Sequence, residues 1–178
     1  QKIGDKEGLK YQVSSWERIS DRKLSPRAKV GANYINSRMA FLEARQNGYD
    51  TALILNNQGK MSEAPGACFF MVRDGRLITP PPTASVLESI TRDTVICLAK
   101  ELLGIETLER DIDRTELYIC DEAFLCGSAM EITHVTNIDG LSVGDGSLGK
   151  ITKELSELYY QVITGQLSQY RDWLTGIY

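Results

Sequence analysis

Apolar positions in this chain fall into short runs punctuated by turn signals. Leu9 to Arg18 alternates apolar and polar residues, the period of a half-buried strand. Residues 33–46 change period. Tyr34, Arg38, Phe41, Leu42 and Arg45 recur at steps of three or four, which predicts a helix ended by Asn47-Gly48, where a left-handed backbone is tolerated. Thr51 to Leu55 is a short apolar run of the kind buried on both faces. A turn at 56–59 leads to a second short strand, Met61 to Ala64, broken by Pro65-Gly66.

The next segment carries the strongest hairpin signal. Ala67–Arg73 and Arg76–Thr79 flank Asp74-Gly75, and a two-residue type I′ turn needs positive φ at both central positions. Pro80-Pro81-Pro82 then ends the pairing, because proline donates nothing to a ladder. Residues 91–103 form the clearest helix, with a stripe of Val95, Leu98, Ala99, Leu102 and Leu103 and a stop at Gly104. Ser89 or Thr91 can cap its start. Ile105 to Ile112 alternates like an exposed strand, and 113–117 opens one helical turn. Strands at 122–126 and 131–138 flank the tight turn Gly127-Ser128-Ala129, and Asp139-Gly140 is another hairpin-type turn. A last helix spans about 150–164 on Ile151, Leu155, Leu158, Tyr159 and Val162. The tail residues Tyr170, Trp173, Leu174 and Ile177 are expected to pack on another surface. Many short strands, three helices and no repeat or linker make 1–178 one domain. Its class is α+β, with a mixed barrel-like sheet and flanking helices.

Composition narrows the partners. A chain of 178 residues, 42% hydrophobic and 25% charged, can bury a core. A net charge of −4 gives no basic field to hold a nucleic acid. No apolar run is long enough to span a bilayer, so no membrane partner is expected. The start, Gln1-Lys2-Ile3-Gly4, has neither a signal-peptide core nor an initiator Met, so a fragment or a processed product is expected. Cys68, Cys97, Cys120 and Cys126 form no Cys-x-x-Cys pair, and only His134 could complement them around a metal. The expectation is a reducing, cytoplasmic setting with no disulfide and no metal site.

A few residues could carry chemistry. Lys29 sits among small residues beside Gly31, after a Pro-punctuated loop and just ahead of the helix bearing Tyr34. Glu63 lies between two strands before the Pro65-Gly66 bend. The helix start at Ile90-Thr91 offers unpaired N–H groups to an anion. The turn at Ser128-Ala129 offers a hydroxyl and two amides. Each has an ordinary structural reading as well: a solvated lysine, a strand-edge carboxylate, a helix cap, a core tyrosine. For Lys60, Lys150 and Lys153 that surface reading stands.

In combination these stretches resemble a known family. Ser25-Pro26-Arg27-Ala28-Lys29-Val30-Gly31-Ala32-Asn33-Tyr34, Ser62-Glu63-Ala64-Pro65-Gly66, Ile90-Thr91-Arg92-Asp93, Asp121-Glu122, Gly127-Ser128-Ala129-Met130-Glu131-Ile132 and Gly144-Asp145-Gly146 follow one another as in the second half of fold-type IV pyridoxal-phosphate enzymes. The branched-chain amino acid aminotransferases are the most similar. The resemblance runs from Trp16-Glu17-Arg18 to the last helix and implies the fold of the family's C-terminal domain. Pyridoxal 5′-phosphate needs a lysine amine, a carboxylate at its ring nitrogen and donors for its phosphate. The resemblance assigns these to Lys29, to Glu63, and to Ile90 and Thr91 with Ser128. It also places Tyr34 on the cofactor's phenolate oxygen, and Ser128 and Ala129 near the substrate carboxylate.

The reaction so implied is a ping-pong transamination between a branched-chain L-amino acid and 2-oxoglutarate, with Lys29 as acid and base. D-amino acid aminotransferase, (R)-amine transaminase and aminodeoxychorismate lyase would use the same Lys29 and Glu63. A non-catalytic cofactor-binding or assembly subunit is the reading from another class. Three departures mark a divergent branch. Gly66-Ala67-Cys68 stands where Gly-Glu-Asn is common, Ser89 where Gly is usual, and His134 where Pro is usual. Ser128 replaces a Thr and keeps the hydroxyl. The family's N-terminal domain has no counterpart in this chain, so a missing N-terminal domain or chain is an expected partner. A homodimer or larger assembly is expected by the same resemblance.

Overall fold

The computed structural model of the chain describes residues 8–176. In order, its elements are β1 (Leu9–Glu17), α1 (Asn33–Gln46), β2 (Thr51–Leu55), β3 (Met61–Ala64), β4 (Ala67–Arg73), β5 (Arg76–Thr79), α2 (Ile90–Leu103), β6 (Thr107–Glu109), β7 (Glu122–Gly127), β8 (Glu131–Ile138), β9 (Leu141–Ser142) and α3 (Lys150–Ile163). Short 3₁₀ turns lie at Pro82–Ala84, Arg114–Tyr118 and Ser168–Trp173.

The sheet is mixed and closes on itself. Six strands run in the order β3-β2-β1-β8-β7-β4, and β4 pairs back to β3. The pairings β1–β2 and β1–β8 are parallel, whereas the other pairings within the ring are antiparallel. A parallel pair of consecutive strands needs a crossover, and the segment 18–50 with α1 supplies it. β5 and β6 extend outward from β4, and β9 hangs on β8. This is the barrel-like α+β arrangement that the spacing of strands and turns predicts.

Strand alternation splits the core in two. Phe69 and Met71 of β4 join Tyr11, Leu53, Met61, Leu125 and Val135 in one cluster. Phe70 and Val72 join Val95, Leu98, Leu155 and Tyr159 in a second, between the outer sheet face and the helices α2 and α3. Phe70 stacks on its cross-strand partner Phe124 with ring centroids 5.0 Å apart. β4 is therefore buried on both faces, which explains its unbroken apolar run.

The turn chemistry behaves as the sequence demands. Asp74 and Gly75 have φ of 53° and 70°, and Asp139 and Gly140 have 51° and 86°. Both are the double left-handed turns of tight hairpins. Ser89 is the cap of α2, its hydroxyl accepting from Arg92 N, while Thr91 lies inside the helix.

Two expectations need correction. The helix at 33–46 forms, but its buried face is Asn33, Ser37, Ala40 and Ala44, not Tyr34, Phe41 and Leu42, which stay exposed. Small residues let α1 lie close on Ala52 and Ile54 of β2. The strand expected over 105–112 shrinks to Thr107–Glu109, because its partner β5 ends at Thr79 and Pro80 follows. In the tail, Tyr170 packs within this chain and donates to Glu101 Oε2 at 2.8 Å. Ile177 lies outside the described residues.

Candidate active site

One row across the sheet locates the site. Ile54, Glu63, Cys68, Cys126 and Ile132 are successive cross-strand partners on β2, β3, β4, β7 and β8. Directly opposed residues project to the same face. At one end α1 covers Ile54, and at the other the α2–α3 layer covers Cys126 and Ile132. Glu63 falls in the gap between these covers, with Cys68 and Cys126 at its edge. A cavity of about 230 Å³ opens there.

The loop before α1, the loop before α2, the β3–β4 bend and the β7–β8 turn border the cavity. Lys29, Tyr34, Glu63, Ser128 and Ala129 all contribute to its lining. The chain thus brings together five of the seven sequence candidates. Ile90 and Thr91 lie just past the lining, whose contributors on that side are Leu87 and Ser89. Ser89 Oγ and Ser89 O take the N–H groups of Arg92 and Asp93, and those of Ile90 and Thr91, in the first turn, have no acceptor among the described residues. Gly127 packs closely under the β3–β4 bend. A Cβ there would stand 3.2 Å from Gly66 O.

Glu63 is held at the buried side by Arg18, one residue past β1. Arg18 Nη2 lies 2.6 Å from Glu63 Oε1, and both side chains are almost fully buried. The same guanidinium donates from Nη1 to Ser37 Oγ at 3.2 Å and from Nε to Ser85 O at 3.4 Å. It therefore ties the two borders of the cavity together. Leu87 N donates to Glu63 Oε2 at 2.9 Å. Burial pushes the Glu63 carboxyl above its usual range, and Arg18 and the Leu87 N–H pull it partly back. Sequence reasoning missed Arg18 because its partners come from distant segments and no local pattern marks it.

On the exposed side the Lys29 amine has no hydrogen bond or ion pair among the described residues. Tyr34 stands beside it on the first turn of α1, about two-fifths exposed. Asn33, which also lines the cavity, is buried and was not singled out by its sequence context. Its Nδ2 donates to Ser25 O and to Ala28 O, both at 2.8 Å. Cys68 donates to Leu87 O through sulfur at 3.7 Å. Its neighbour Cys126 has a thiol pushed well up, first by Cys68 and then by burial. The position where a polar Asn is common thus holds Cys68, a cross-strand partner of Cys126. The four thiols are free, and no cluster of three or more metal-ligating side chains occurs among the described residues.

The family model for class IV aminotransferases matches residues 2–138, and the chain belongs to that family. It is 44% identical over 171 residues to a probable branched-chain-amino-acid aminotransferase of Aquifex aeolicus, covering 96% of this chain and 55% of the relative. The branched-chain amino acid aminotransferase of Thermobaculum terrenum, solved in its pyridoxal-phosphate form, superposes with a TM-score of 0.93 at 53% identity, over 96% of this chain and 56% of that one. The branched-chain aminotransferase of the archaeon Thermoproteus uzoniensis, solved with norvaline, gives a TM-score of 0.93 at 44% identity, over 97% and 57%. The chain spans little more than half the length of these relatives.

Proposed function

We propose that this chain is the cofactor-bearing part of a pyridoxal-phosphate-dependent aminotransferase acting on branched-chain L-amino acids and 2-oxoglutarate. The observation that carries the reading is one cavity lined at once by an unpaired lysine, Lys29, and by a buried carboxylate, Glu63, clamped to Arg18. The residues present fit the group. Lys29 offers an amine, Glu63 a carboxylate, Tyr34 a hydroxyl, and Ile90, Thr91 and Ser128 donors for a phosphate. The family membership and the pyridoxal-phosphate form of the Thermobaculum relative support it.

When bound, the cofactor supplies the electron sink for the pair left as a substrate Cα–H proton departs. The chain's own groups do the rest. Among the described residues Lys29 is the only lysine in the lining, so its amine would remove that proton and return it. Glu63, opposed by Arg18, would hold a positive charge at the ring nitrogen, and Tyr34 would hold the ring oxygen. The amides of Ile90 and Thr91, at the positive end of α2, would fix the phosphate with the Ser128 hydroxyl. Ser128 and Ala129 amides orient the substrate carboxylate.

The absent half of the protein, relative to its relatives, completes the phosphate seat and the substrate pocket in this reading. The working protein is a cytoplasmic homodimer or larger assembly. The test is a donor screen on the full-length protein loaded with pyridoxal phosphate. Preference for L-leucine, L-isoleucine or L-valine over D-alanine and (R)-1-phenylethylamine supports the reading, and the reverse preference overturns it.

A further inference from the structure

We infer that Asn33 is the positioning residue for the Lys29 amine. The inference rests on the reading of Lys29 as the cofactor lysine, and it assigns a task to a side chain outside that machinery.

Asn33 brackets Lys29 from both sides. Its side-chain Nδ2 holds the carbonyl of Ala28, the residue before the lysine. Its backbone N–H holds the carbonyl of Val30, the residue after it, at 3.1 Å. The second Nδ2 hydrogen reaches Ser25 O and so closes the whole Pro26–Arg27 bend. Apart from these, the loop backbone makes short internal bonds, Ala28 N to Ser25 O and Val30 N to Ala28 O, and the half-exposed Arg27 side chain reaches Glu88 and Asp21. Lys29 itself is exposed, and its amine has no hydrogen bond or ion pair among the described residues to aim it. The direction of its amine is therefore set by the backbone that Asn33 fixes.

The remaining atom points the same way. Asn33 Oδ1 is buried and has no hydrogen-bond partner among the described residues, although Asn33 lines the cavity. A buried acceptor left unpaired costs about 1–3 kcal/mol. A donor entering the cavity removes that cost, and the Lys29 side chain, four residues away, shares the lining. Asn alone among the small polar residues can do all of this, because two hydrogens and one acceptor sit on a short stem. Asp keeps the acceptor but loses both donors, and Leu keeps the bulk but loses everything polar.

The experiment uses full-length protein and the variants Asn33→Ala, Asn33→Leu and Asn33→Asp, with two readouts. Amide hydrogen exchange over residues 26–32 is measured without cofactor, so it is independent of the proposed chemistry. Pyridoxal phosphate is then added, and the rate of borohydride-trapped label at Lys29 is followed against pH. The expected result in Ala and Leu is exchange over 26–32 faster by about tenfold, with α2 and α3 unchanged, and labelling of Lys29 slower by about tenfold. In Asp the pH midpoint of labelling moves up by about one unit, because a carboxylate at Oδ1 holds the ammonium. A purely structural role would leave that midpoint where it is. Wild-type exchange over 26–32 in every variant overturns the proposal, as does faster exchange with an unchanged Lys29 rate. Absence of label on Lys29 in the wild type is a separate outcome, and it overturns the cofactor reading and the positioning role together.

Discussion

Arg18 and Glu63 meet at 2.6 Å in the buried part of the cavity lining, and the same guanidinium holds Ser37 of α1 and the Ser85 carbonyl ahead of α2. One side chain thus sets the charge of the carboxylate and the spacing of the two helices that frame it. Removing one member of a buried ion pair leaves the other uncompensated, at about 3–5 kcal/mol. Arg18→Met is expected to lose about that much. The loss depends on pH. The Glu63 carboxyl is already raised by burial, and without Arg18 it rises further. A raised carboxyl contributes stability that is fully present below its unfolded value, about 4.3, and lost as pH rises through the folded value. The deficit of Arg18→Met is therefore small in acid and large near neutrality. Urea unfolding of wild type and variant across that range checks the trend.

The double variant Arg18→Met with Glu63→Leu separates stability from chemistry. Replacing both members of a buried pair by apolar residues is often neutral or stabilising. The double variant is expected to recover most of the stability lost in Arg18→Met. It is also expected to bind pyridoxal phosphate without holding charge at the ring nitrogen. Thermal unfolding together with the visible spectrum of the bound cofactor tests both halves.

Glu116 is a second acid whose environment sets a pH dependence, far from the cavity. Arg110 donates to both its oxygens, at 2.5 and 2.9 Å, and Arg73 donates to one at 2.9 Å. These bonds, Arg110 first, hold the carboxyl below its usual range against the opposing effect of partial burial. A lowered carboxyl gives stability that is present above the unfolded value and lost as pH falls through the folded one. Glu116→Gln is expected to lose about 1–2 kcal/mol at neutral pH, a modest figure because both guanidinium groups are more than one third exposed. The gap to wild type should close as the pH drops below about 4. Unfolding midpoints on either side of that value decide it.

The thiols differ in reactivity. Burial pushes Cys120 up to about 12, and Cys126 is raised by Cys68 and by burial. Cys97 is raised as well but lies only partly buried on α2. Since the thiolate is the nucleophile, alkylation of the folded protein at about pH 8 is expected to label Cys97 well before Cys120 or Cys126. Mass mapping of iodoacetamide adducts reads the order. Labelling of Cys126 as fast as Cys97 would show that the Cys68–Cys126 contact is open.

Most of the architecture was legible where a local rule fixes the backbone. Asp74-Gly75 and Asp139-Gly140 declared their turns, and Gly104 declared a helix end. The closed ring was legible only as many short strands, because the β3–β4 contact that closes it depends on the Pro65-Gly66 bend. The face of α1 was misread. Tyr34, Phe41 and Leu42 carry the helical period, yet Ala40 and Ala44 make the contact, since close approach to β2 favours small side chains. In the site, Lys29, Glu63, Tyr34, Ser128 and Ala129 were found by resemblance and now share one cavity. Arg18 and Asn33 were missed because their partners are carbonyls and carboxylates that only the folded chain brings to them.

The central claim is that Lys29 is the residue to which the cofactor attaches. The most direct measurement is borohydride reduction of the full-length protein with pyridoxal phosphate, followed by peptide mapping of the labelled lysine. The account predicts one label, on Lys29, that is absent in Lys29→Ala. Label confined to surface lysines such as Lys150 and Lys153, at the same level in Lys29→Ala, would contradict it.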